Sequence, residues 1–485
     1  MNWWVLRRQP HISWLIAAMC LALLIGVWAA QYAQPGLFGS GVWYVVGGVL
    51  VGLSLRCRYV WLIPLLLLGG VLIGMCRGSI EANDLRGVQG LIGKQVTVTG
   101  IVREDVDTGS GGLLIVRLSQ LDVHGRPLAG ALWASVAFKG EIRRSDHLTI
   151  SGTLDAGFGS FVAAMYRGSV QKVARSQPGD VALEVRDGFA DQIRRAIPEP
   201  AASLGIGYLV GQKRALPADL ALALQITGLT HVVVASGYNL TILVRLARRL
   251  FVRVSKYAAA LAASSMIIGF IAVTGLSPSM SRAGLVAGLS LAAWYYGRRF
   301  HPLVLLSVAA AVTVMVHPSF AWGDVGWQLS FTAFAGVMIL APLLQRYFFG
   351  DAKPGMIRQI IGETCAAVIV TAPLLISAFG QFSNVAIFAN LLVLPLVPLA
   401  MLLTFVAGIG ALLVPAWAIV IGTPAAWLLG YMVQVSEFMA GLPWAVTQVQ
   451  LGPLVVALCY VGLIALCLYL WRTTGYDLRQ SNLVE

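Results

Sequence analysis

Long apolar runs alternate with short polar breaks along most of this chain. Many runs reach the roughly 20 residues that a helix needs to cross a bilayer. They lie near 13–30, 41–55, 59–75, 229–250, 257–275, 280–297, 302–317, 325–345, 358–379, 385–411, 416–436 and 453–471. The pattern predicts a polytopic α-helical membrane protein of about 12 spans. Between 77 and 178 the period changes. Lys94–Arg103 alternates Val96, Val98 and Ile101-Val102 with Thr97 and Thr99, and further strand candidates are Gly112–Val123, Ala131–Phe138, His147–Leu154 and Phe161–Val173. Turn residues separate them. Such short strands in a small insert predict a β-barrel of OB-like type.

The predicted organisation follows. Residues 1–76 form a three-span segment, 77–178 the OB-like domain, 179–228 amphipathic and interfacial helices, 229–472 the main transmembrane domain and 473–485 a short tail. In 183–197, Val185, Phe189, Ile193 and Ile197 recur every four residues, with Arg and Asp elsewhere. That spacing predicts an amphipathic helix lying at the outer interface. The first apolar run is read as an uncleaved span rather than a signal peptide.

Composition agrees with the pattern. Of 485 residues, 58% are hydrophobic and 11% charged, which excludes an ordinary soluble domain. The net charge of +13 is explained mainly by topology. Arg7, Arg8, Arg56, Arg58, Arg245, Arg248, Arg249, Arg253, Lys256, Arg298, Arg299, Arg346, Lys353, Arg358, Arg472 and Arg479 sit at every second connection or at the ends. The alternate connections 31–40, 317–323, 380–384 and 438–452 hold no Lys or Arg. The positive-inside rule then places both termini in the cytoplasm and the barrel outside it. The six cysteines lie in or beside apolar runs, and neither a disulfide framework in the insert nor a zinc spacing is present. No metal or other cofactor is expected.

The chemistry sits in polar residues embedded in apolar segments. Leu222–Leu243 carries His231, Ser236, Gly237, Tyr238 and Asn239 in a segment that reads as the start of a span. Polar groups in hydrocarbon are costly and face a partner, a cavity or a pathway. Ser236 and Asn239 share a helix face, whereas His231 and Ser236 point about 140° apart. A Ser–His hydrolytic pair is therefore not expected. The bland reading of Ser236-Gly237 is close helix packing, and that of His231 is an interfacial anchor. Ser277, Ser281 and Arg282 follow a Gly275–Pro278 break, and broken backbone at membrane depth must be buried or line a wet cavity. A guanidinium there suits a phosphate, although it would also suit a lipid headgroup or Asp324. Gln328, Ser330 and Asn390 complete the embedded polar set, with interhelical hydrogen bonding as their bland role.

These segments resemble the signature of the ComEC/Rec2 competence family of inner-membrane DNA-uptake channels. Gly228-Leu-Thr-His231 and Ser236-Gly-Tyr-Asn239 are similar to its Gly-Leu-x-His and Ser-Gly-x-His. Gly205–Arg214 occupies the place of its Ala-Leu-Leu-x-Gly-Asp-Arg segment. Gly275–Gly284, Gly326-Trp-Gln-Leu-Ser-Phe331 and Asn390-Leu-Leu-Val-Leu-Pro-Leu396 follow in family order, over about 180 to 410. Two features depart from the family. Asn239 stands where a second His is usual. Histidines occur only at 11, 124, 147, 231, 301 and 317, so no His-x-His-x-Asp-His cluster exists and a short form without the nuclease domain is implied.

The resemblance implies a bacterial cytoplasmic-membrane channel passing single-stranded DNA, with no covalent chemistry of its own. His231, Ser236, Gly237, Asn239, Ser277, Ser281, Arg282, Gln328, Ser330 and Asn390 would line or flank the path. Membrane lipids and a separate DNA receptor, helicase-type motor and nuclease would be its partners. In the OB-like domain Arg143, Arg144, Arg167 and Lys172, with Trp133, Phe138, Phe158, Phe161 and Tyr166, are candidates for strand binding. Against that, 77–200 holds 15 Lys/Arg and 14 Asp/Glu, less basic than a strong nonspecific binder. A secondary transporter of a small solute is the alternative. Such a protein usually has embedded carboxylates and repeats, whereas Asp324, Glu363 and Glu437 lie near span ends.

Overall fold

The computed structural model describes residues 11–476 except 35, 57–60, 110–111, 124, 177–178, 213–215, 234–236, 276–277, 298–300 and 351–354. The helices are α1 (Ile12–Ala30), α2 (Val42–Arg56), α3 (Leu62–Gln89), α4 (Val181–Ala196), α5 (Ala201–Val210), α6 (Ala218–Ile226), α7 (Thr230–Val233), α8 (Gly237–Phe251) and α9 (Lys256–Thr274). They continue with α10 (Pro278–Tyr295), α11 (Pro302–Val316), α12 (Val325–Ala335), α13 (Ala341–Phe349), α14 (Met356–Phe379), α15 (Ala386–Val393), α16 (Val397–Leu413), α17 (Ala418–Ala440) and α18 (Pro453–Thr474). A π-helical turn, Gly336–Leu340, joins α12 to α13.

Among the described residues, 8 helical segments are long and apolar enough to cross a membrane. The chain is a polytopic membrane protein, with 8 of the 12 expected spans meeting that criterion among the described residues. Two expected spans form shorter apolar helices. Helices α2 and α11 have 15 residues each, or about 22 Å at 1.5 Å per residue, against a core of about 30 Å. The stretch expected as one span at 229–250 is not one described helix either: α7 has 4 residues and α8 starts at Gly237.

The chain divides into two compact units. The first comprises residues 1–180 and 299–328. Its helical part packs α1 on α3 through small residues. A Cβ at Gly70, Gly74 or Gly78 of α3 would run into α1, so the absence of side chains lets the backbones touch. Arg77 of α3 caps α11, donating from Nε to the Met315 carbonyl (2.8 Å) and from Nη2 to the Val316 carbonyl (2.9 Å). A cation at a helix C-terminus meets carbonyls that lack intrahelical donors. His301 caps the other end, its Nδ1 accepting from the Leu303 amide.

The strands of this unit are β1 (Gln95–Val102), β2 (Asp107–Thr108), β3 (Leu114–Val123), β4 (Arg126–Leu128), β5 (Leu132–Ala137), β6 (His147–Thr153), β7 (Asp155–Ala156) and β8 (Ala163–Ala174). The five long ones fall on the alternating stretches of the sequence, with β8 running one residue past Val173. They close a ring in the order β1-β3-β5-β8-β6-β1, antiparallel except for the parallel β5–β8 pair. Inward positions alternate as the pleat requires. Val98, Val116, Leu118, Ala134, Val136, Leu148, Ile150 and Met165 are buried in the barrel.

The second unit comprises residues 181–298 and 329–485. Helix α5 is its centre, with all ten residues buried. Helix α4 buries Leu183, Arg186, Ala190, Ile193 and Ala196. Gly408 on α16 leaves room for Phe189 and Ile193, and Gly422 on α17 lies against Ala196. The amphipathic helix expected at a lipid interface therefore packs its stripe onto protein, while Val185 is exposed. The expected periodicity is present, but a groove made by two distant glycines receives that face.

Candidate functional site

A fully buried helix must satisfy its terminal backbone groups inside the protein, because no water reaches them. Helix α5 meets this requirement at both ends with side chains. At its start, Glu199 accepts from the Ser203 amide (3.0 Å) and the Ser203 hydroxyl (2.6 Å). Near its end, Nδ2 of buried Asn239 donates to the Tyr208 carbonyl at 3.1 Å. That carbonyl lies in the last turn, beyond the reach of the helix's own amides. Asn239 therefore docks α8 onto α5.

The glycines of Gly205-Ile-Gly207 permit this docking. A Cβ on Gly205 would crowd Leu429 and Thr404, and one on Gly207 would crowd Val233. One glycine thus admits α16 and α17 and the other admits α7. Gly237 works in the same way at the start of α8, where an added Cβ would lie 3.2 Å from the Ala283 Cβ of α10. Ala283 adjoins Arg282, which is only 4% exposed. Segments 205–210, 237–239 and 278–284 are separate in sequence and meet where α5, α8 and α10 pack. Asn390 of α15 is also buried, and its neighbours Ala389 and Val393 share one apolar cluster with Tyr208. The Asn390 Oδ1 has no hydrogen-bond partner among the described residues.

The electrostatics are one-sided. From Leu220 to Gly323 the sequence has no Asp or Glu, yet it includes Arg245, Arg248, Arg249, Arg253, Lys256 and Arg282. A buried guanidinium in such a stretch makes a site suited to anions.

The other sequence candidates are distributed differently. Ser236 and Ser277 lie outside the described residues. Ser281 neighbours Arg282 on α10 and is half-buried. His231 is exposed, with Nδ1 2.8 Å from the Gly228 carbonyl, an arrangement that closes the turn before α7. Gln328 donates from Nε2 to the Ala321 carbonyl at 3.2 Å and so holds the turn that precedes α12. Ser330 is exposed and sits two positions along the same helix, on another face. Gln328 and Ser330 therefore do not form one polar surface.

In the barrel, Arg144 is a correction. Its Nε pairs with Asp180 at 2.7 Å and the residue is buried, so it fastens the chain leaving the barrel and offers no surface charge. Arg143 pairs with Glu141 at 2.8 Å. Arg167 and Lys172 are exposed. Phe138 packs against the barrel core. Trp133 lies 5.5 Å from Phe158 and 5.3 Å from Tyr166 between ring centroids, and Phe161 adjoins Phe158 at 5.6 Å. Phe158 and Tyr166 are exposed, so this cluster presents aromatic surface. Among the described residues no group of three or more His, Cys, Asp or Glu could hold a metal.

Sequence reasoning missed Tyr208, Glu199 and Ser203. A polar ring in an apolar helix was the available signal for Tyr208, and Glu199 four residues before Ser203 for the cap.

Comparison with known proteins places these segments. The chain is 22% identical over 287 residues to ComE operon protein 3 of Bacillus subtilis (strain 168), covering 57% of this chain and 35% of that relative. It therefore spans about a third of the length of the curated relative it matches. No solved structure matches. The family described as competence protein matches residues 208–473, which include Tyr208, Asn239, Arg282 and Asn390. By that match over more than half of its length, the chain belongs to the competence protein family.

Proposed function

We propose that this chain takes part in DNA uptake and passes a single DNA strand across the bacterial cytoplasmic membrane during natural transformation. The observation that carries the reading is buried Arg282, in a carboxylate-free stretch within the matched segment, beside a helix docked by Asn239. A guanidinium binds phosphate in two-pronged geometry. A moving polyanion also requires that strong sites be few, since many embedded cations would hold it in place. Arg282 is the only Lys or Arg between Tyr257 and Gly297, which suits that requirement.

The barrel's strand order and parallel β5–β8 pair support an OB-like assignment. Its Trp133–Phe158–Tyr166 cluster, in which Phe158 and Tyr166 are exposed, is with Arg167 and Lys172 a candidate stacking surface for an arriving strand. The charge pattern supports cytoplasmic termini and an extracytoplasmic barrel. The reading assigns no covalent step to this chain, so a receptor, a cytoplasmic motor and a nuclease would be separate proteins.

The test deletes the gene and follows labelled double-stranded DNA into the cytoplasm, complementing with wild type, Arg282→Lys and Arg282→Ala at matched membrane levels. Arrival should be lost on deletion while surface binding persists. Wild type should restore it, Arg282→Lys in part and Arg282→Ala least. Normal arrival in the deletion strain overturns the reading.

A further inference from the structure

A crevice of about 250 Å³ lies between the ends of α1 and α3. Its polar lining is Gln31, Gln34, Ser79, Asn83, Arg86 and Gln89. It contains four carboxamides, a hydroxyl and one guanidinium, and no carboxylate. Ser79 is only 4% exposed, and its Oγ has no hydrogen-bond partner among the described residues. Other hydroxyls buried in helices of this chain behave differently. Thr404 donates to the Ala400 carbonyl at 2.7 Å, Ser436 to Met432 at 2.8 Å and Thr313 to Ala309 at 2.9 Å. Those hydroxyls turn back on their own helix, whereas Ser79 turns toward the crevice. An unsatisfied buried hydroxyl is destabilising unless something fills the role of partner.

The depth of the crevice indicates what fills it. The apolar run of α3 ends at Cys76, and Arg77 follows. Ser79 is two residues further, so the crevice opens in the headgroup layer just past the hydrocarbon. Aromatic residues mark the same level. Trp28 and Tyr32 are exposed, with ring centroids 5.2 Å apart, at the end of α1. Such rings settle at membrane–water boundaries.

We infer that the α1–α3 crevice binds the head group of an anionic phospholipid, with Arg86 on the phosphodiester and Ser79 with the carboxamides on its hydroxyls. One cation matches one phosphodiester charge, and donor–acceptor amides match a glycerol head group. A choline head group offers no hydroxyls and carries a cation that the crevice has no carboxylate to meet.

Native mass spectrometry of the purified full chain tests this with phosphatidylglycerol, phosphatidylcholine and a twelve-nucleotide oligothymidylate as probes. One phosphatidylglycerol should be retained where phosphatidylcholine is not. Arg86→Ala should weaken retention about tenfold, the value of one charge-assisted hydrogen bond. Ser79→Ala separates binding from folding. It removes an unsatisfied hydroxyl, so the lipid-free melting temperature should hold or rise while lipid retention falls. Equal retention of the two lipids, or retention unchanged by both substitutions, overturns the inference. Displacement of phosphatidylglycerol by the oligothymidylate also overturns it and assigns the crevice to the strand.

Discussion

The barrel and the α5-centred bundle both bury apolar cores, but they differ in what they expose and in which polar groups they take inside. In the barrel, Val98, Leu118, Val136 and Ile150 point inward, and charged pairs such as Arg117–Asp107 at 2.8 Å lie outside. In the bundle, Asn239, Arg282, Asn390 and Thr404 are buried, while Leu261, Ile268, Trp427 and Ile464 are exposed. The difference reflects the solvent each region faces. Water makes apolar burial favourable and polar exposure free. A bilayer gives no such drive between apolar faces, so polar groups gather inside where they find partners. One chain thus follows two folding rules, one in the barrel strands between Gln95 and Ala174 and the other in the bundle.

The most damaging test of this contrast places a charge in the barrel core. Val136→Asp should destabilise the barrel by about 4 kcal/mol or more, because the carboxylate would be buried without a partner. Protease sensitivity of residues 90–176 in the full chain would report it. Lys172→Leu on the outer surface should change the same readout little.

The mirror experiment introduces a charge on the exposed face of α18. Ile464→Arg should raise the insertion cost by about 2.5–3.5 kcal/mol at mid-helix. Membrane-integrated yield measures it, and an unchanged yield would mean that α18 faces protein or water rather than lipid.

The buried carboxamide provides a finer test. Asn239→Leu should cost about 1–3 kcal/mol by leaving the Tyr208 carbonyl without its donor. Asn239→His retains a donor and should retain most of that stability. Thermal unfolding of the detergent-purified protein distinguishes the two. Equal loss in both would show that shape, not hydrogen bonding, matters at this position.

The smallest effect is a pH dependence at the edge of α11. Desolvation, with Arg103 and Arg77 nearby, holds the His317 imidazole below its ordinary pKa. The unfolded chain then binds more protons than the folded one as pH falls below about 6.5. Stability of the first unit is full above that pH and declines below it. His317→Gln should flatten the melting-temperature profile between about pH 5 and 7. An unaltered slope would assign that pH dependence to other groups.

Much of this was legible from periodicity. The alternation at Val96 and Val98 located β1, and the apolar run from 453 located α18. The runs at 41–55 and 302–317 form helices of only 15 residues, because apolar composition does not reveal where a helix ends. The Gly70, Gly74 and Gly78 spacing was present in the sequence, yet only its contact with α1 explains it. Arg144 looked like a surface cation because its partner Asp180 is 36 residues away. The bond from Gln328 to the nearby Ala321 carbonyl was likewise not visible in the residue pattern.

The sequence by itself determined which solvent each segment meets, which period it follows and which families it resembles. Those properties depend on a residue and its near neighbours along the chain. The tertiary structure alone decided that Asn239 would satisfy α5, that Arg144 would be occupied, and that Ser79 would face a crevice. Burial and hydrogen bonding depend on atoms brought together from distant segments, and no local pattern specifies that meeting.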